Sequence, residues 1–277
     1  MPLPATPVLH TVHLVGAGPG DPELLTLKAL RVLRQATVIL VDDLVGEQVL
    51  AHALEGLEPA PRIVPVGKRG GCESTPQAFI EKLLVREALA GEKVVRLKGG
   101  DPLVFGRAGE EMAALREAGI PFEVVNGITA GLAAVNALGT GWTDRRHAQG
   151  VMLVTGHPQT GGAGPDWDAI GAAAASGLTL VIYMGVTQAP RLVEQLLPRL
   201  GPDWPAAAVQ AASTPAQRQL RATLGTLVDV IAREQLGSPA VLVLGRVLEA
   251  AALADWAAQA EHAAQASGAP QASQASA

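Results

Sequence analysis

Two glycine-rich segments in the first half of the chain carry the clearest potential for chemistry. The first glycine loop (residues 16–21) and the second glycine loop (residues 99–102) each follow an apolar run that is typical of a buried strand. Glycine lacks a Cβ atom, so a ligand can approach the backbone of both loops closely. Asp101 adds a carboxylate that can accept hydrogen bonds from a hydroxyl or an ammonium group. The two loops therefore predict a binding site for a small polar molecule.

The first glycine loop also resembles the glycine pattern of dinucleotide-binding proteins. Gly16 and Gly18 fit its first two positions, and an acid, Asp42, follows the next predicted strand. The third glycine position holds Asp21, whose carboxylate would repel a pyrophosphate, and Pro19 lacks a backbone donor. These departures disfavour an NAD-dependent oxidoreductase, which is kept as an alternative.

Strands and helices alternate along the chain. Strands are predicted at residues 11–15, 37–41, 63–66, 93–97, 122–125, 151–155, 178–184, 206–210 and 241–244, and helices at 24–34, 75–90 and 109–118. Thr75 is the predicted N-cap of the second helix. This alternation predicts an α/β fold with a largely parallel sheet, whose functional loops lie at the carboxyl ends of the strands.

The pattern restarts after residue 140, which predicts two domains at 1–140 and 141–254 and a disordered tail rich in Ala, Gln and Ser at 255–277. The net charge of −5 disfavours nucleic-acid binding. A single cysteine and the lack of metal-spaced histidines predict no disulfide and no metal site. Residues 1–10 do not look like a signal peptide, and the uncharged stretch 169–190 is predicted as a helix and a strand, so we expect a cytoplasmic protein without a membrane span.

Several motifs together resemble the tetrapyrrole methyltransferase superfamily, and in it the branch that methylates uroporphyrinogen III. They are VGAGPGDPELLTLK at 15–28, VGKR at 66–69, RLKGGDP at 96–102, VFGR at 104–107 and TPAQR at 214–218. The resemblance implies two α/β domains of the tetrapyrrole-methylase type with the active-site cleft between them, and a homodimer. It also implies S-adenosylmethionine as the methyl donor, S-adenosylhomocysteine as a product and a small-molecule tetrapyrrole as the substrate.

The same resemblance assigns roles to individual residues. Asp42 matches a proton acceptor and Lys68 a proton donor, although the two charges can also form a simple ion pair. Arginines are expected to bind the substrate carboxylates, at Arg69, Arg96, Arg107 and Arg145. Contacts with the methyl donor, several of them through backbone groups, fall on Pro19, Gly99, Gly100, Asp101, Val104, Thr129, Ala130, Met184, Ala212 and Ala240. For Met184, a plain core methionine after a strand is an equal alternative.

The implied reaction is the transfer of two methyl groups to uroporphyrinogen III, which gives precorrin-2 for cobalamin or siroheme synthesis. Without an added siroheme-synthase dehydrogenase domain, we expect methylation alone. Three positions depart from the pattern: Asp43 adds an acid beside Asp42, Asn126 replaces a proline, and in segment 143–147 only Thr143 and Arg145 match. The altered segment leaves two alternatives open, a methyltransferase for a later precorrin and a non-catalytic tetrapyrrole-binding protein.

Overall fold

A computed structural model describes residues 8–67, 75–157 and 164–249. The chain divides into two compact units. The first comprises residues up to Ala134 together with Val209–Arg218 and Gly237–Val241, and the second comprises Val135–Ala208, Gln219–Leu236 and the chain from Leu242 onward. The predicted domain boundaries at 140 and 254 stay predictions, and the predicted tail lies outside the described residues.

The first unit contains a five-stranded sheet. Its strands and helices, in chain order, are β1 (Val12–Gly16), α1 (Leu27–Gln35), β2 (Val38–Val41), α2 (Glu47–Leu54), β3 (Arg62–Pro65), α3 (Gln77–Leu89), β4 (Val94–Lys98), α4 (Ala108–Glu117) and β5 (Phe122–Val125). Helix α5 (Ala130–Ala137) begins in this unit and ends in the second. The strand order is β3-β2-β4-β1-β5, and every neighbouring pair is parallel. The prediction of an α/β fold with a parallel sheet is confirmed.

Both faces of this sheet are covered by helices, which explains why β2 and β4 are buried along their whole length. Leu14 and Leu40 point to one face, where they pack in a cluster with residues of α3 and α4 such as Leu84. Val15 and Ile39 point to the other face and pack with residues of α1 and α2. The alternation of side chains along each strand thus supplies two cores from one sheet.

A second five-stranded sheet has the order β6-β7-β10-β8-β9, with β6 and β7 parallel. Its elements are β6 (Gly150–Thr155), α6 (Trp167–Ala175), β7 (Leu178–Tyr183), α7 (Ala189–Leu200), β8 (Pro205–Gln210), β9 (Arg218–Thr223), α8 (Leu227–Arg233) and β10 (Ala240–Leu244). The uncharged stretch is α6 followed by β7, as predicted. Among the described residues, no helix is both long and apolar enough to cross a membrane.

The predicted strands agree with the structure to within about a residue at each end, but two helix starts were wrong. The helix predicted from residue 24 begins at Leu27, since a short 3-10 helix at Pro22–Leu24 precedes it. The N-cap of α3 is Pro76 and not Thr75, whose hydroxyl donates to the carbonyl of Gly67 at 3.1 Å instead.

Candidate active site

Four loops meet at the carboxyl edge of the first sheet. They follow β2, β4, β1 and β5, which are consecutive in the sheet, so the loops lie side by side. They carry Asp42, the second glycine loop, the first glycine loop and residues 126–129, in that order. In open parallel sheets, ligands bind at the carboxyl ends of the strands, at the point where the order of the strands reverses.

The two glycine loops are hydrogen-bonded to each other. The amide of Gly100 donates to the carbonyl of Gly18 at 2.8 Å, and the amide of Gly18 donates to the carbonyl of Gly100 at 3.2 Å. The amide of Ala17 adds a third bond, to the carbonyl of Lys98 at 2.8 Å. Gly18 and Gly100 have φ angles of +73° and +67°, which side chains other than glycine rarely adopt. The loops therefore form one backbone unit.

A third glycine loop, residues 126–129, closes on the other two; the sequence predicted a donor contact there at Thr129 but no role for Gly127. A Cβ atom on Gly16 would lie 2.6 Å from the carbonyl oxygen of Gly100 and 2.6 Å from the amide nitrogen of Gly127. A Cβ atom on Gly127 would lie 2.2 Å from the same oxygen of Gly100. Only glycines allow the three backbones to approach this closely.

The carboxylate of Asp101 holds the second and third glycine loops together. Its Oδ1 accepts from the amide of Leu103 at 2.8 Å, and its Oδ2 accepts from the Asn126 side chain at 3.0 Å and from the amide of Gly127 at 3.1 Å. Asp101 is only 8% exposed. A carboxylate oxygen has two acceptor positions, so Oδ1 keeps one for a ligand. Asn126, which replaces the proline of the family pattern, supplies a side-chain donor that a proline lacks.

The first glycine loop does not have the geometry of a dinucleotide site. A pyrophosphate binds at the N-terminus of the helix that directly follows the glycines. Here Asp21 caps the 3-10 helix by accepting from the amide of Glu23 at 2.9 Å, and α1 begins only after its own N-cap, Thr26. This arrangement argues against an NAD-dependent oxidoreductase.

Asp42 is partly buried and lies at one end of a cluster of charges whose other members, Arg96, Lys98 and Glu111, are buried. Its Oδ2 lies 3.3 Å from an Nη of Arg96, whose Nε donates to Glu111 at 2.9 Å, and Lys98 donates to the same oxygen of Glu111 at 3.0 Å. Burial and a hydrogen bond with Asp43 raise the pKa of Asp42 above its usual range, against the opposing charge of Arg96. Burial likewise lowers the pKa of Lys98. Both shifts favour neutral forms, which suits groups that exchange protons.

Two of the four arginines predicted to bind substrate, Arg96 and Arg107, lie in different surroundings. Arg96 is 2% exposed, and its hydrogen bonds end on protein oxygens, which argues against a direct contact with substrate. Arg107 forms a two-bond pair with Glu110, at 2.8 and 2.7 Å, on the exposed side of α4. Lys68 and Arg69 lie outside the described residues.

Arg145 lies in the altered segment, which forms a tight turn closed by two backbone hydrogen bonds between Asp144 and Ala148. Asp144 binds the neighbouring Arg146, whose hydrogen bonds lower the pKa of Asp144 to about 2. Arg145 is exposed and makes no hydrogen bond or ion pair with another residue in the described part of the chain. Its guanidinium can therefore bind an anion.

Thr129 and Ala130 lie beside the second glycine loop. A Cβ atom on Gly100 would be 3.7 Å from the Cα of Thr129 and 3.6 Å from the amide nitrogen of Ala130, an ordinary contact distance. Val104 follows in the turn after Asp101, with its amide bonded to the Asp101 carbonyl at 3.2 Å. These residues and the glycine loops therefore share one neighbourhood within the first unit.

Pro19 in the first glycine loop and Ala212 in a later turn belong to two segments that approach each other. Pro19 precedes Gly20, where a Cβ atom would lie 2.4 Å from a methyl carbon of Thr214. Ala212 lies between Ala211 and Ser213, whose φ angles of +48° and +62° place them in the left-handed region. Backbone strain of this kind is concentrated at functional sites, and no sequence motif predicted it here.

Ala240 and Met184 complete the residues predicted to contact the donor. The amide of Ala211 donates to the carbonyl of Pro239 at 3.0 Å, so the start of β10 at Ala240 lies next to the strained turn. Met184 follows β7 with a φ angle of +55° and is 49% exposed. The alternative of a core methionine at position 184 is wrong.

The chain is similar to known proteins along most of its length. The family model for tetrapyrrole (corrin/porphyrin) methylases matches residues 11–228. The chain belongs to the tetrapyrrole methylase family. It is 51% identical over 237 residues to the uroporphyrinogen-III C-methyltransferase of Pseudomonas aeruginosa, a match that covers 85% of this chain and 93% of that protein. A siroheme synthase of Aeromonas hydrophila is 44% identical over 88% of this chain, which spans 50% of that longer protein.

Members of the family with solved structures share the fold. The uroporphyrin-III C-methyltransferase of Thermus thermophilus in complex with S-adenyl homocysteine is 43% identical, with a TM-score of 0.71, and the match covers 87% of this chain and all of that one. A cobalt precorrin-4 methyltransferase is 26% identical, with a TM-score of 0.74 over 86% of this chain and 95% of that chain. The predicted membership and the two-sheet α/β architecture are confirmed.

Proposed function

We propose that this protein transfers methyl groups from S-adenosylmethionine to two carbons of uroporphyrinogen III, in two successive reactions that yield precorrin-2. The observation that carries this proposal is the 51% identity to a uroporphyrinogen-III C-methyltransferase along 93% of that relative. The relative with bound S-adenyl homocysteine, at 43% identity, supports the choice of donor.

The glycine loops fit this donor. S-adenosylmethionine carries a ribose, an ammonium group and a positive sulfonium but no phosphate. The glycines of the loops leave the backbone accessible to a ligand, and one carboxylate oxygen of Asp101 has an acceptor position left for a hydroxyl or ammonium group. The first loop does not lead directly into the N-terminus of an α-helix, which would favour a phosphate. Donor contacts are proposed for Pro19, Gly99, Gly100, Asp101, Val104, Thr129, Ala130, Met184, Ala212 and Ala240.

Asp42 is the proposed proton acceptor. The bound donor supplies an electrophilic methyl group, so the protein has to align a pyrrole carbon and manage protons. Removal of the pyrrole N–H proton by Asp42 makes the ring carbon a stronger nucleophile. Because the pKa of Asp42 is raised, its carboxylate is a stronger base than an exposed aspartate. Lys68 is the proposed proton donor.

The substrate is rich in carboxylates, and arginines pair with carboxylates through two parallel hydrogen bonds. Arg145 is the arginine best suited to this role, since it is exposed and not paired within the described residues. Arg69 and Arg107 are proposed as further partners, and Arg107 would have to exchange Glu110 for the substrate. Arg96 is assigned to Asp42 instead.

Three further properties belong to the proposal. The protein is expected to act in the cytoplasm, to form a homodimer and to bind no nucleic acid. The net charge of −5 supports the last point. Analytical ultracentrifugation of the purified chain would measure the mass of the assembly directly.

The proposed reaction is tested by incubating the protein with S-adenosylmethionine and uroporphyrinogen III under reducing, oxygen-free conditions and measuring the mass of the tetrapyrrole. A gain of two methyl groups supports the proposal. A gain of methyl groups only with a later precorrin would assign a different substrate. Binding of both ligands without a mass change would indicate a non-catalytic binder, and a failure to bind S-adenosylhomocysteine would refute the choice of donor.

A further inference from the structure

Glu111 is a buried charge that the proposed reaction does not use. It lies on α4 and is 0% exposed. Its Oε1 accepts hydrogen bonds from both Arg96 and Lys98, at 2.9 and 3.0 Å, while no described residue donates to its Oε2. A carboxylate without water is unfavourable unless cations neutralise it. Its burial on the far side of the arginine that contacts Asp42 therefore calls for a functional explanation.

Arg96 connects Glu111 to Asp42. Its Nε faces Glu111 at 2.9 Å and one Nη faces Asp42 at 3.3 Å. The other Nη donates to the backbone carbonyls of Leu40 and Leu97, at 3.4 and 3.2 Å. Four protein oxygens thus fix the planar guanidinium in one orientation, which a lysine could not reproduce.

We propose that Glu111 is a positioning residue that acts on Asp42 through Arg96. It holds the guanidinium against Asp42 and shares its positive charge, so that Asp42 remains a strong enough base for the substrate proton. This inference deepens the proposed function and rests on it for the identity of the proton acceptor. The contacts from Asp42 through Arg96 to Glu111, called the ion chain below, do not depend on the identity of any ligand.

The charges around Asp42 determine the direction of the effect. Asp43 lies on the same loop, Arg96 and Lys98 lie on β4, and Glu111 faces both cations from α4. In this arrangement Asp42 and Glu111 divide the charge of Arg96 and Lys98, and Asp43 adds a third carboxylate beside Asp42. If Glu111 loses its charge, the two cations act more strongly on Asp42, so the pKa of Asp42 falls and its carboxylate becomes a weaker base.

Glu111→Gln tests the proposal because it removes the charge and keeps the shape and one acceptor oxygen. The acid limb of the kcat/KM profile for methylation should move down by about one pH unit, and the plateau should fall several-fold because a weaker base removes the proton less readily. Glu87→Gln is the matched control. Glu87 is also a buried carboxylate with two arginine partners, Arg62 and Arg86, but it lies on α3 and does not contact Asp42 or its partners. This control should leave the profile unchanged.

A second readout needs neither donor nor substrate. In protein labelled with 13C at the aspartate carboxyl carbons, the NMR signal of Asp42, assigned by its loss in Asp42→Asn, reports its titration directly. Its midpoint should move down by about one pH unit in Glu111→Gln and stay in place in Glu87→Gln. An unchanged or raised midpoint in folded Glu111→Gln would refute the positioning role even if methylation is confirmed. Conversely, a lowered midpoint in a protein that methylates nothing would support the ion chain and reject the proposed function.

The wild-type protein offers a test that is independent of any variant's folding. The 15N signal of Arg96 Nε should shift with the same midpoint as the Asp42 carboxyl, because one rigid guanidinium contacts both carboxylates. The corresponding signal of Arg62 should not follow Asp42. If the 15N chemical shift of Arg96 Nε stays constant while Asp42 titrates, the two groups are not coupled, and the proposal is overturned.

Discussion

Gly16→Ala should force apart the three glycine loops, whose backbones are in close contact at Gly16, Gly100 and Gly127. The added Cβ atom would lie 2.6 Å from two backbone atoms, the carbonyl oxygen of Gly100 and the amide nitrogen of Gly127, where an ordinary contact begins at 3.4 Å. The loops must therefore separate by about 0.8 Å, and backbone cannot rotate away as a side chain can. We expect overpacking to lower the free energy of unfolding by about 1–3 kcal/mol, and the two hydrogen bonds between Gly18 and Gly100 to contribute about 1 kcal/mol each if they break.

The same displacement should weaken donor binding. If the loops must be returned to their native positions when the ligand binds, about 1.4 kcal/mol of this strain lowers affinity tenfold. Isothermal titration calorimetry with S-adenosylhomocysteine and urea unfolding measure the two effects. Gly109→Ala is the matched control: it lies in α4, a Cβ atom there meets nothing within 4 Å, and alanine should stabilise the helix by about 0.5–1 kcal/mol. A Gly16→Ala protein with native stability and native affinity would refute the role of this backbone contact.

Four further changes have defined outcomes. Asp101→Asn should lower the free energy of unfolding by about 2 kcal/mol in urea titrations and weaken S-adenosylhomocysteine binding, because an amide NH2 replaces one of two hydrogen-bond-accepting oxygens; native values of both would contradict this. Asp42→Asn should lower the methylation rate by about 100-fold or more, with donor affinity kept within about twofold, because an amide cannot accept the proton; full turnover would exclude Asp42 from proton transfer. Arg145→Ala should raise KM for the tetrapyrrole by about tenfold, whereas Arg146→Ala should change it less because a neighbouring carboxylate already binds that guanidinium; equal effects would show that pairing does not distinguish them. Glu87→Gln should lower the free energy of unfolding at pH 7 by about 1–2 kcal/mol. A hydrogen bond with Arg86 lowers the pKa of Glu87 in the folded protein, so its carboxylate stabilises the fold fully above pH 4.5 and loses this effect as the pH falls and the carboxylate is protonated. The stability difference between the wild type and Glu87→Gln should therefore disappear at acid pH, which urea titrations in that range would check.

A strand such as Val38–Val41 was predictable because it is buried on both faces and is therefore apolar without interruption. Elements with weaker local signals were missed. The helix Ala189–Leu200 contains Pro198 in its interior, and the strand Arg218–Thr223 is mostly polar. Tertiary contacts stabilise both elements, and a pattern within one short segment does not report such contacts.

The glycine loops and Asp42 were predictable because they follow strands and resemble known motifs. The partners that organise them were not. Glu111 is 15 residues from Arg96, and Gly127 is 26 residues from Asp101, and neither separation is a helical or strand period. A single sequence contains no signal for such a pairing, which arises only when β4, α4 and β5 are assembled. Arg96 was predicted to bind substrate but is buried and contacts Asp42 instead. This burial likewise arises only from the assembly of these elements.

The first unit is assembled from three separate stretches of chain, the last of which ends at Val241. During synthesis, the glycine loops emerge from the ribosome early, but the turn that contains Ala212 and the start of β10 at Ala240 emerge more than a hundred residues later. The unit therefore cannot complete its fold as soon as its first stretch has been made. For the same reason, a single genetic crossover between residues 135 and 208 would exchange only part of this unit, so the two halves of the protein can be expected to evolve as one inherited block.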